Sequence, residues 1–188
     1  MYRSIIKKIQ SIRYKVLFNK FGLNNILGKR LTLGGCDCIE IGNNVVINND
    51  VWLEAVKSYN GIKTNSFIKI GDGVSIGKGS IITSTNNIKI GNGCLFGPYV
   101  FLTDHSHGSQ IQSELLIPPI KRNLYSKGPI IINENVWIGY GAVILPGVEI
   151  GHSSIIGANA VITKDVEAYS LVVGNPGRVI KNLKNSEY

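Results

Sequence analysis

One spacing limits the fold of this chain more than any other property. Ile132, Ile138, Ile144, Ile150, Ile156 and Ile162 follow one another six residues apart without a miss. The residue four places beyond each is small or β-branched: Val136, Ala142, Val148, Ser154, Ala160 and Val166. The same frame runs through Ile41, Ile47 and Leu53, then Ile70, Ile76, Ile82 and Ile88. It resumes two residues out of phase at Ile90, Phe96 and Leu102. A period of six fits neither an amphipathic helix nor a lone strand. It fits short strands that each send one large aliphatic side chain inward, joined by turns at glycine, asparagine and small residues. One such rung cannot bury its isoleucine alone, so rungs stack and share a core, and their strands pair in parallel. Burial of one isoleucine contributes roughly 1.5–3 kcal/mol. Between residues 39 and 175 no amphipathic helix of the kind an α/β sheet requires is evident. The expected class is therefore an all-β solenoid.

The remaining composition locates an appendage. The chain has 188 residues and a net charge of +8, with 20 Lys+Arg against 12 Asp+Glu. Arg3, Lys7, Lys8, Arg13, Lys15, Lys20, Lys29 and Arg30 all precede the first acid, Asp37, so the whole excess sits in the first 30 residues. A neutral body with a basic end argues against a nucleic-acid-binding domain. Ile5, Ile6, Ile9, Ile12, Val16 and Leu17 recur at helical steps, which predicts a basic amphipathic arm over residues 1–30. Packing against the body is the simplest use of that arm. Peripheral contact with an anionic membrane or a lipid-linked substrate is the sharper one. The repeat domain is expected over 31–181, with a short tail at 182–188. No apolar run reaches the ~18–20 residues of a membrane span, and no secretory signal is evident at the start. Three cysteines, with a lone Cys36-x-Cys38, suggest neither disulfides nor zinc. A reducing, cytoplasmic setting follows, at the inner face of the membrane if the arm engages lipid.

The frame is interrupted once at length. About 27 residues, TDHSHGSQIQSELLIPPIKRNLYSKGP, separate Leu102 from the restart near Ile130. An insertion this long in a regular solenoid is functional or disordered. It opens with His105 and His107, two of three histidines in the chain, beside Asp104. In extended chain, residues two apart project to one side. Histidine suits general-base work near neutral pH, and either Asp104 or a backbone carbonyl can hold the imidazole in one tautomer. His152 stands at a repeat turn and reads as surface.

These features resemble the hexapeptide-repeat acyltransferases. The stretch KGPIIINENVWIGYGAVILPGVEIGHSSIIGANAVITKDV (127–166) and the following VVGNPGRVIK (172–181) are similar to the maltose and galactoside O-acetyltransferases. The basic arm and the DHSHG segment are closer to the acetyltransferases that decorate capsule, lipopolysaccharide or exopolysaccharide sugars. The resemblance implies a left-handed parallel β-helix, a hand opposite to that of ordinary β-crossovers. It also implies a homotrimer with active sites between neighbouring prisms, acetyl-CoA as cosubstrate, a saccharide or lipid-linked saccharide as acceptor, and no metal. The catalytic role falls to His105 or His107, with His105 slightly preferred. The coenzyme role falls to Tyr140, Ala158, Thr163, Lys164, Arg178 and Lys181, and Trp137 is a candidate either to wall the thioester end or to pack in the core or the trimer contact. Positions that are Asn and Asp in the galactoside enzymes read Gly77 and Thr85 here, so a simple galactoside is not the expected acceptor. Trp52, Glu54 and the Thr83-Ser84-Thr85-Asn86 run, Thr85 and Asn86 above all, are the candidates for acceptor contacts.

The expected activity is direct transfer of acetyl from acetyl-CoA to a saccharide hydroxyl. No serine or cysteine lies in a recognisable nucleophile motif. The rivals are an amino-sugar N-acetyltransferase and a non-enzymatic β-solenoid scaffold. A metal-dependent β-helix hydratase needs three histidines on adjacent rungs, which His105, His107 and His152 do not supply.

Overall fold

The computed structural model of the protein describes residues 15–184. Residues 1–14 of the predicted arm lie outside the described residues. The rest forms a left-handed parallel β-helix, a triangular prism with one sheet per face. Face A stacks six strands, face B eight and face C six among the described residues. Along the C-terminal half each rung takes eighteen residues: Ile132 pairs with Ile150, Ile138 with Ile156 and Ile144 with Ile162. Many strands contain two residues, too short to hold as a sheet alone. Stacking supplies the parallel hydrogen bonds and closes the core around side chains exposed by 3% or less, including all six isoleucines of the 132–162 run.

Turns sit where the repeat predicts them. Asn44, Asn135 and Asn159 hold φ near +57°, the left-handed region that asparagine tolerates best after glycine. At the corner from B to C, a Cβ on Gly77 would lie 2.3 Å from the carbonyl carbon of Gly97 one rung on. The rungs approach there too closely for any side chain.

Two boundaries differ from the sequence expectation. The solenoid begins before residue 31: Lys20–Phe21 pairs with Ile39–Ile41, Ile26–Leu27 pairs with Val46–Ile47, and Phe18 is buried. This first rung keeps Leu27 in the core, but its polar turns, FGLNNILGKR, disguise it. Lys20, Lys29 and Arg30 thus belong to the prism, and Arg30 pairs with Asp50 through Nε–Oδ1 at 2.5 Å. The prism also closes differently at its end. Arg178–Asn182 runs antiparallel to Ser170–Val173, an added strand on face B rather than another hexad turn.

Up to the added C-terminal strand, the irregularities of the repeat fall on one edge, the corner from C to A. A short 3-10 turn, Cys36–Cys38, occupies it in the first rung. A hairpin built from Ser58–Tyr59 and Ile62–Lys63 occupies it in the second. The out-of-phase step of the sequence is the third: Ile70 pairs with Ile90, twenty residues on rather than eighteen. The long insertion, 104–129, is the fourth. It is ordered, with Ser106–His107 paired to Leu124–Tyr125, a short helix at Gln112–Leu115, and Arg122 bonded through Nε and Nη2 to the carbonyls of Ile117 and Leu115.

Candidate functional site

The third of these corners builds the site. The two extra residues per rung lengthen the turn after Ile81–Ser84, so that the amide groups of Thr85 and Asn86 turn inward. They meet the Asp104 carboxylate, fully buried one rung above. Asp104 Oδ1 accepts from the Thr85 amide at 2.8 Å, and Oδ2 accepts from the Ser84 hydroxyl at 2.6 Å and the Asn86 amide at 3.0 Å. Oδ1 also meets His105 Nδ1, at 3.2 Å. Burial alone would raise the Asp104 pKa. The hydrogen bonds from His105, Ser84 and the two amides outweigh it, and the group is held below its ordinary value. An ionised carboxylate is thus fixed beside the imidazole. It favours the tautomer with the proton on Nδ1, shared with Thr103 Oγ1 at 3.2 Å, and leaves Nε2 as the basic nitrogen.

His107 is held differently. The Tyr59 hydroxyl donates to the carbonyl of Ile120 at 3.0 Å, so its oxygen accepts from His107 Nδ1 at 3.3 Å. The two rings meet edge to face with centroids 5.4 Å apart. Its partner is a neutral phenol and its side chain is exposed. It lacks the buried anion that would stabilise an imidazolium. The two histidines that the sequence left nearly equal thus differ in their support, a buried carboxylate for His105 and a phenol for His107.

His105 stands where two clefts meet. One, about 570 Å³, is lined by Thr103, Ser106, Lys127, Leu145, Pro146 and Thr163. The other, about 480 Å³, is lined by Trp52, Glu54, Thr83, Phe101 and His107. Trp52 Nε1 donates to Glu54 Oε2 at 2.8 Å, orienting the carboxylate at the rim.

Of the sequence candidates, the structure brings together Asp104, His105, His107, Thr163, Trp52 and Glu54. Thr85 and Asn86 lie beneath the same corner, with the Thr85 side chain turned to Asp104 Oδ1 at 3.3 Å. Lys164 is exposed just past Thr163. The other coenzyme candidates lie elsewhere on the prism. Trp137 projects from face B, Tyr140 and Ala158 occupy the corner from B to C, and Arg178 and Lys181 are exposed on the added strand. In one chain they do not share a surface with His105. Sequence reading missed Tyr59, Lys127, Leu145 and Pro146, and it offered Ser84 for acceptor contacts, whereas the Ser84 hydroxyl is turned to Asp104. Leu145 and Pro146 occupy ordinary hexad turn positions and carry no signal.

Residues 129–164 match the family model described as bacterial transferase hexapeptide (six repeats). The Escherichia coli (strain K12) protein WbbJ, whose name assigns it to lipopolysaccharide biosynthesis as an O-acetyl transferase, is 33% identical over 129 residues, covering 64% of this chain and 65% of that protein. The chain spans between 29% and 65% of the lengths of the curated relatives it matches. Among solved structures, a maltose O-acetyltransferase from Clostridium difficile 630 superposes with a TM-score of 0.58 at 27% identity, covering 93% of this chain and 74% of that one. AntD, an N-acyltransferase from Bacillus cereus solved with dTDP-4-amino-4,6-dideoxyglucose and coenzyme A, superposes with a TM-score of 0.75 over 92% of this chain and 88% of that one. At 22% identity it shares the fold.

Proposed function

From a chain that carries the bacterial transferase hexapeptide repeat, we propose an acetyl-CoA-dependent O-acetyltransferase acting on a saccharide hydroxyl, in the biosynthesis of a surface polysaccharide. The observation that carries this reading is His105, with Nδ1 tied to a buried carboxylate and the ring placed at the junction of two clefts. One cleft is assigned to the thioester donor and the other to the acceptor. Nε2 takes the proton of the acceptor hydroxyl as its oxygen attacks the thioester carbonyl carbon. The tetrahedral intermediate collapses with cleavage of the C–S bond, and the imidazolium returns the proton to the departing thiolate. Asp104 stabilises the imidazolium between these steps. Lys127 and Thr163 line the donor cleft, where a cation and a hydroxyl suit the polar and phosphorylated parts of the coenzyme.

The active unit in this reading is a homotrimer. The outward residues of face A are Lys20, Glu40, Lys69, Lys89, Ile131 and Glu149, a largely charged ladder suited to water. Those of face C are Thr32, Trp52, Ile81, Phe101, Val143 and Val161, and face B shows Ile26, Val46, Ser75, Leu95, Trp137 and Ile155. Two different apolar faces suit a heterologous contact, which closes into a ring. Face B of one copy set against face C of the next brings Trp137 and Arg178 toward the neighbour's His105 cleft.

The test is acetyl transfer from acetyl-CoA to a panel of sugars and amino sugars, with the product identified by mass and by alkali lability. His105→Ala is expected to lower kcat by a factor of about 10²–10⁴, and His107→Ala by much less. An alkali-stable N-acetyl product, or a His105→Ala variant as fast as wild type, would overturn the reading.

A further inference from the structure

We propose that the cavity between the hairpin at 58–63 and the long insertion is a saccharide subsite, which holds the sugar unit adjoining the one acetylated. The proposal rests on reading the His105 cleft as the site of acetyl transfer. The cavity measures about 290 Å³ and shares two of its walls, Tyr59 and Leu124, with the cleft of His105 and His107. It is one step along the surface from the reacting position, near the lower end of the size range of small-ligand sites (about 300–1,000 Å³). One ring fits there and a whole glycan does not.

Its chemistry is that of hydroxyl recognition. The polar lining includes the carboxamides of Asn65, Asn86 and Asn123, the hydroxyls of Thr85 and Ser126, and the Lys63 ammonium, without a carboxylate; the Thr64 and Tyr59 hydroxyls there are already bonded to backbone carbonyls. A carboxamide presents a donor and an acceptor side by side, so it matches two neighbouring sugar hydroxyls. Asn86 Nδ2 donates to Ser126 Oγ at 3.3 Å. The side chains of Lys63, Asn65 and Asn123 make no hydrogen bond or ion pair with any described residue. They are polar groups free to take a ligand.

The placement gives these groups a purpose. Both walls are excursions that the hexad frame does not require, and ordering them costs conformational entropy. They are nevertheless fastened together by Tyr59 Oη to the Ile120 carbonyl and by Asn60 Nδ2 to the Arg122 carbonyl at 3.3 Å. The floor residue Thr85 also contacts Asp104, which holds His105. A sugar seated in the cavity is thus in register with the base, and an acceptor of two or more units fills both positions where a monosaccharide fills one.

The test separates the subsite from the reaction. Side-chain amide resonances of ¹⁵N-labelled full-length protein are followed during titration with maltose, lactose and cellobiose, and with their parent monosaccharides, in wild type and in His105→Ala. The Asn65 and Asn123 amides, assigned from Asn65→Ala and Asn123→Ala, are expected to shift with at least one disaccharide in both proteins, and to shift less with its monosaccharides. In the transfer assay, an acceptor lengthened by one unit is expected to gain about tenfold in kcat/KM, an effect on the order of one or two hydrogen bonds. Asn65→Ala with Asn123→Ala should erase that gain while sparing monosaccharide turnover. Amides that respond to no saccharide, or an equal loss on short and long acceptors, would overturn the subsite. Shifting amides in a protein that transfers acetyl to nothing would leave the subsite standing and overturn the O-acetyltransferase reading.

Discussion

Asp104 concentrates the cost of the site in one side chain. Its carboxylate satisfies a serine hydroxyl, two backbone amides and an imidazole, all within a corner closed to water. Asp104→Ala strands those donors, at about 1–3 kcal/mol for a buried group left without a partner, so a loss of about 3 kcal/mol in urea unfolding is expected. The pH dependence has a definite sign. The folded pKa is depressed, so the stabilisation is complete above the unfolded carboxylate value of about 3.9 and is lost as pH falls through the lower, folded value. Asp104→Asn should therefore lose more stability at pH 7 than at pH 3, and urea midpoints at the two values check this. The sequence placed Asp104 beside the histidines but showed nothing of its cradle. Ser84, Thr85 and Asn86 are eighteen to twenty residues earlier, and only the stacking of rungs brings them beneath it.

The clasp between the hairpin and the insertion decides the shape of the acceptor side. Tyr59 is its pin, touching Ile120 through its hydroxyl and His107 through both hydroxyl and ring. Tyr59→Phe keeps the ring and deletes the hydroxyl contacts, a change of about 1 kcal/mol. The expected result is faster limited proteolysis within 104–129 with little change in melting temperature, because the rungs do not depend on the clasp. At this scale the strands were legible. The isoleucine frame located nearly every inward position from Ile41 to Ile162, because a six-residue period with one large residue per strand has few other uses. The hairpin was not legible. Its signal was only the gap between Leu53 and Ile70, and short polar strands such as Ser58–Tyr59 have no period of their own. The first rung was hidden by neighbouring lysines and arginines, which drew 15–30 into the basic arm.

For the whole molecule, the three faces predict how copies meet. Leu95 is 47% exposed on face B, in the row shared with Trp137. Leu95→Lys places a charge where the neighbour's apolar face is expected, and sedimentation should show dissociation toward monomers. Lys89→Ala, on charged face A, should leave the trimer whole. A wild-type protein that sediments as a monomer would sink the assembly and, with it, the proposed meeting of Trp137 and Arg178 with the neighbour's His105. The sequence supplied the charges without their placement. Once rungs are stacked, Lys20, Lys29 and Arg30 belong to the first rung of the prism, and the imbalance that had looked like an appendage is partly the coat of the body.

Before the closing strand on face B, the departures from the six-residue frame share a single edge. The rungs keep their isoleucines and close-packed glycines on the other two corners, where any insertion would push stacked backbones apart. The C-to-A edge behaves as a socket in an otherwise fixed chassis. Chain folded outward there changes what the molecule grips without touching what holds it up, so foldability and selectivity are inherited through separate stretches of sequence. A lineage built on this prism can exchange its substrate by rewriting one seam.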